Sequence, residues 1–140
     1  MTVVGSPTNP GLTSGSMFTS YAHLHYTATV PGTTVCSLRG SGGANYQRGA
    51  TAGGGFRVVW RFGIGDLVAN SNMFVGLSGS LAAPTDVDPA TLTNIIGVGC
   101  TDGDTVMQLY AAGAAAQAKT SLGAAFPVNT SNTDLYEVEI

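Results

Sequence analysis

Arg57 and Arg61 stand four residues apart in GFRVVWRFGI, residues 55–64, interleaved with Phe56, Val58, Trp60 and Phe62. Alternate side chains of a strand take opposite faces, so the two guanidiniums share one face with Val59 and the large apolar groups share the other. The apolar face belongs to a core, which sends the arginines outward. About 13 Å apart along the strand, they form one stripe, suited to an anionic sugar or a partner protein. Glu137 and Glu139, which also share a strand face, offer the intramolecular alternative as cross-strand partners.

A second stripe comes from Tyr21, His23 and His25, which alternate with Ala22, Leu24 and Tyr26 in FTSYAHLHYTATV, residues 18–30. Aromatic and imidazole groups on a sheet face stack on sugar rings and hydrogen-bond hydroxyls; a half-exposed sheet face or a subunit contact uses the same residues. Tyr46, in the glycine-rich loop of residues 40–55, joins Tyr21, His23, His25, Arg57 and Arg61 as a candidate ligand-binding residue. His23 and His25 point one way but lack an obvious third metal ligand. Asp86/Asp88 and Asp102/Asp104 are two D-x-D pairs without the full calcium-loop run, and turn and cap duty explains both. Glu137 and Glu139, two strand steps or about 6.6 Å apart, fall between the carboxylate spacings of retaining and inverting glycosidases, with no third acid beside them. There is no GxSxG, Walker loop or HExxH. No catalytic residue, metal or cofactor is expected.

The elements that must position these groups are short. Residues 18–30 alternate as a strand, and Pro31-Gly32 ends it with turn chemistry. Strands follow at residues 55–64, 73–79, 94–100, 105–111, around 118–122 and at 135–140, with TDGD, residues 101–104, turning one into the next. Asp88-Pro89 is the one good helix start, for one or two turns. Residues 1–16 read as an irregular arm and residues 17–140 as a single domain. Six to eight short strands with almost no helix point to an all-β antiparallel sandwich or jelly roll. LYEVEI, residues 135–140, alternates with no turn after it. It is expected to pair mid-sheet, to continue in a longer natural chain, or to be completed by another chain.

Composition fits that architecture. Of 140 residues, 44 % are hydrophobic, 20 are glycine and only 9 % are charged. Average domains carry roughly 25 % charged residues. The net charge of −3, from five cations and eight anions, disfavours binding to nucleic-acid phosphate, which needs several cations tracking the backbone. No run of about 18 apolar residues marks a membrane span. MTVVGSPTNPG lacks the basic flank and apolar stretch of a signal peptide, so synthesis in a cytoplasm is expected. Cys36 and Cys100 read as buried reduced thiols; a disulfide between them is not decided by their spacing.

From residue 54 to 140 an ordered set appears: GFRVVWRFGI, MFVGLSGS, APTDVDPATLTNIIGVGC, TDGDTVMQLY, LGAAFPVNT and DLYEVEI. This set resembles a domain of virion proteins of tailed bacteriophages and prophages, of the tail-fibre or tail-associated kind. The resemblance implies a concanavalin-like sandwich with further strands after the position of Ile140. It also implies a non-catalytic role in host-surface attachment or virion assembly, in a homo-oligomer, a trimer by analogy, or beside other virion subunits. A host glycan is the implied ligand and the virion the implied location. A carbohydrate-binding module is the second expectation, and a glycan-depolymerising enzyme the third.

Overall fold

A computed structural model of the chain describes residues 2–5, 37–39, 57–64, 72–80, 82, 85–128 and 133–140. The described residues are all-β, with antiparallel pairing throughout. Strands β1 (Thr2–Val4) and β2 (Ser37–Arg39) form one pair. That pair begins inside the stretch read as an irregular arm; residues 6–16 of the arm and the expected strand at residues 18–30 lie outside the described residues.

Strand β3 (Val59–Phe62) pairs with β8 (Tyr136–Glu139), matching Trp60 with Val138 and Phe62 with Tyr136. The ladder runs one step further, because Val58 and Ile140 exchange backbone hydrogen bonds of 2.8 and 3.0 Å. Ile140 thus belongs to the β3–β8 ladder, which has two strands among the described residues.

The larger sheet has four strands in sequence order: β4 (Met73–Ser78), β5 (Ile95–Cys100), β6 (Gln108–Ala112) and β7 (Thr120–Ser121). Its face bearing Val98, Cys100 and Met107 packs with Ile64 and Val128 as the core. Phe62, Tyr136 and Val138 of the β3–β8 pair close over that core, so two antiparallel layers bury one apolar interior, an arrangement consistent with a β-sandwich. Alternation in β3 is legible in its exposure: Val59 and Arg61 are exposed, Trp60 and Phe62 half-buried, and Ile64 buried. Phe56 lies outside the described residues.

Gly97 explains why β5 sits so close to β4. A Cβ there would collide with the Val75 carbonyl oxygen and come within 2.7 Å of the Gly76 Cα. Across this glycine the Phe74 and Tyr110 rings meet edge to face, with centroids 6.2 Å apart. They lie on the sheet face opposite the core, where Tyr110 is buried.

Local signals set the connections. Asp88 Oδ1 accepts from the Ala90 amide at 2.8 Å and caps a single 3-10 turn, Pro89–Thr91, which is shorter than the α-helical turns the sequence allows. In TDGD only Gly103 takes positive φ, at 82°, and the Asp104 amide donates to the Thr101 carbonyl at 3.0 Å. That is a type II pattern rather than a two-residue hairpin. Residues 105–107 consequently pair with residues 126–128, through the Met107 and Val128 amides, before β6 begins at Gln108.

Candidate functional site

Arg57 and Arg61 lie on the outer face of the β3–β8 pair, beside Glu139 and Glu137. Arg57 donates from Nε and Nη2 to Glu139 Oε1 and Oε2 at 2.6 and 2.7 Å, a bidentate fork. Arg61 Nε donates to Glu137 Oε2 at 2.7 Å, directly across the ladder. Arg57 reaches diagonally, because Glu139 stands opposite Val59 in the register. The arginine side chains remain 70 % and 66 % exposed, so the pairing organises a surface rather than a core. The hydrogen bond from Arg57 holds the Glu139 carboxyl below the usual carboxylate range, the opposite of what a proton-donating acid requires. The intramolecular alternative read from the sequence is thus realised at both positions.

A second polar group forms where β5 turns toward β6. Asp104 Oδ2 accepts from the Thr101 amide at 2.9 Å and from its hydroxyl at 3.0 Å. Lys119 Nζ donates to both Asp104 oxygens at 2.8 Å and to Thr101 Oγ1 at 2.7 Å. Burial works against ionisation of Asp104, but the Lys119 and Thr101 donors outweigh it and hold the carboxyl below its ordinary range. Sequence reasoning read Asp104 as a turn residue and missed Lys119. The available signal was that Lys119 is the chain's one lysine, in a sequence with very few charges.

Cys100 is a free, fully buried thiol. Burial, with a smaller contribution from Asp104, pushes its pKa up to about 11, so it behaves as a small apolar group. Cys36 lies outside the described residues. The Tyr110 hydroxyl is buried and finds no hydrogen-bond partner among the described residues. Burial first, then the charges of Asp88 and Asp104, raise its pKa.

Between the two layers an apolar cleft of about 220 Å³ is lined by Phe62, Val98, Met107, Leu122, Phe126 and Tyr136. Tyr136 is fixed there by its hydroxyl, which donates to the Pro127 carbonyl at 2.6 Å, and by Phe62, whose ring centroid is 5.7 Å away.

Of the candidate ligand residues, the structure places Arg57 and Arg61 on one face; Tyr21, His23, His25 and Tyr46 lie outside the described residues. The two D-x-D pairs serve separate turns: Asp86 accepts from Asn72 Nδ2 at 2.8 Å, and Asp88 and Asp104 act as above. Among the described residues no three of His, Cys, Asp and Glu gather as metal ligands, and no helix is long and apolar enough to cross a membrane. No protein-family model, curated protein or solved structure matches the chain.

Proposed function

We propose that the chain is a non-catalytic structural domain of a tailed-bacteriophage virion, part of a tail fibre or tail-associated protein, with a concanavalin-like jelly roll as its full fold. The ordered motifs of residues 54–140 support the family. One structural observation carries the non-catalytic part: the ionic groups of the described sites are spent on holding elements together. Arg57 and Arg61 tie β3 to β8 through Glu139 and Glu137, Lys119 locks the Thr101–Asp104 turn, and Asp88 caps the 3-10 turn. A domain so built presents shape and surface, as a virion subunit does. It is made in the bacterial cytoplasm and acts in the virion as an oligomer or against other virion subunits.

The high exposure of the Arg57 and Arg61 guanidiniums favours a second reading, a carbohydrate-binding module, in which a sugar carboxylate replaces Glu139 or Glu137 as the arginine's partner.

An antiserum against the purified chain, applied to phage particles from the source bacterium, tests the first reading in the electron microscope. Decoration of tails supports it, and bare tails reject it. A glycan array probed with the wild-type chain and with Arg61→Ala tests the second: sugar binding lost in the variant supports a module, and no binding to any sugar leaves assembly as the role. Host polysaccharide shortened by the chain would overturn the non-catalytic assignment.

A further inference from the structure

We infer that the outer face of the β3–β8 pair is a self-complementary contact surface whose partner is a second copy of this chain. This deepens the oligomeric part of the proposed function. Its experiment reads association alone, so failure here leaves the tail assignment to the antiserum.

The face consists of two parallel columns of opposite charge. Arg57, Val59 and Arg61 run along β3; Glu139 and Glu137 run along β8, and all five are exposed. Val59, 41 % exposed, stands between the arginines and gives the face an apolar centre. A surface with one cationic and one anionic column matches itself under one kind of twofold axis. An axis in the contact plane, parallel to the strands and midway between them, exchanges left and right. It lays β3 of one copy over β8 of the other. Arg61 and Glu137 share a register position, so each Arg61 then comes over Glu137 of the second copy. Val59 and Glu139 share the next position, so Glu139 of the second copy comes over Val59, and Arg57, two residues further along the strand, reaches that carboxylate diagonally as it reaches Glu139 of its own chain. An axis running across the strands would instead stack arginine on arginine and glutamate on glutamate. Charge thus selects one isologous arrangement out of two. Faces of this kind pack with strands about 30° apart, which keeps four-residue columns in register over their length.

The intrachain pairs help rather than compete. The bidentate fork on Glu139 already orders both side chains, so a second copy meets a preformed pattern. Each carboxylate has lone pairs for a second arginine, and at the Arg61–Glu137 level the result is a four-membered alternating network. Two four-residue strands per copy bury less than about 1,200 Å² in total, which places the contact in the weak, transient class. Repetition in a virion converts weak contacts into avidity.

Sedimentation velocity of the full chain over a rising concentration series tests this, at about 20 mM and about 500 mM NaCl. Four proteins are compared: wild type, R57E/R61E, E137R/E139R, and the fourfold swap that combines both sets. Wild type and the swap should form dimers that weaken at the higher salt. Each single-sign variant, carrying a face of one charge, should lose at least about tenfold in self-affinity. The swap keeps the intrachain pairs, so it separates loss of contact from loss of fold, and circular dichroism checks the fold of all four. A wild type that stays monomeric at low salt overturns the inference. So does any oligomer, the trimer included, that charge reversal and salt leave unchanged.

Discussion

Lys119 Nζ reaches across fifteen residues of sequence to both carboxylate oxygens of Asp104, at 2.8 Å each, and to the Thr101 hydroxyl at 2.7 Å. The three side chains fasten the lead-in to β7 to the turn that follows β5. The pair is mostly sheltered, with side chains 30 % and 12 % exposed, so its loss differs from the loss of a surface ion pair. Lys119→Met removes the ammonium and leaves a half-buried carboxylate with the Thr101 donors and a long hydrogen bond of 3.4 Å from Gln108 Nε2. A loss of about 1–3 kcal/mol in denaturant unfolding at neutral pH is expected. A loss too small to measure would show that the contact carries no net stability.

The same pair fixes the direction of an acid response. The Asp104 carboxyl titrates below its ordinary range in the folded chain, despite the opposing effect of burial. A depressed folded value means the unfolded chain takes up the proton first as pH falls. The stabilisation is therefore complete above the ordinary aspartate value, about 3.9, and is lost as pH falls from there through the lower folded value. Thermal unfolding of wild type should drop across that window. Asp104→Asn, which cannot titrate there, should show a shallower drop, and parallel curves for the two proteins would exclude Asp104 as the cause.

Gly97 tests the packing between β4 and β5. Its missing side chain allows Val75 and Gly76 to approach, and any Cβ meets backbone that cannot rotate away. Gly97→Ala should destabilise by about 2–3 kcal/mol or prevent folding, as overpacking does. Gly113, whose surroundings hold nothing within 4 Å, supplies the control. Gly113→Ala should leave the denaturation midpoint nearly unchanged. Equal effects at the two positions would remove the close approach as the explanation.

How much of this was legible beforehand follows the range of each interaction. The inward turn of Phe62 and the outward turn of Arg61 could be read because alternation is a property of neighbouring residues, and a guanidinium is costly to bury. Asp88 and Pro89 announced their cap because it spans two residues. The pairing of both arginines with Glu137 and Glu139 was legible as one of two possibilities, since an outward stripe of one sign invites the other. Lys119 stands out as the chain's one lysine, but its partner was not legible: nothing in its local sequence states that a turn fifteen residues earlier will present a carboxylate to it. The turn itself was half legible. Asp-Gly announces a reversal, but whether one residue or two take positive φ depends on the strands that flank it. Gly97 hid its role for another reason, since a residue without a side chain contributes nothing to a hydrophobic pattern.

Tyr110 gives a prediction of the opposite sign. Its ring packs against Phe74 while its hydroxyl is buried and unsatisfied among the described residues. Tyr110→Phe keeps the ring and removes the stranded oxygen. The variant should be as stable as wild type or up to about 1–3 kcal/mol more stable, judged by the urea midpoint. Destabilisation by more than about 1 kcal/mol would mean that the hydroxyl makes a hydrogen bond in solution.

Cys100 should be chemically silent while the chain is folded. The thiolate is the reactive form, and with a pKa of about 11 less than about one part in a thousand is ionised at pH 7.5. Full burial adds a second barrier, because a reagent must reach the sulfur through the core formed with Val98 and Met107. Iodoacetamide at pH 7.5 should leave the peptide bearing Cys100 unmodified in the native protein and label it fully in urea, as followed by peptide mass spectrometry. The rate of labelling in dilute denaturant should then track global unfolding, because a sulfur at the centre of the core is exposed only when β3–β8 separates from the larger sheet. Rapid labelling without denaturant would place Cys100 outside the core, and with it the two-layer packing that closes Phe62 and Tyr136 over the four-stranded sheet.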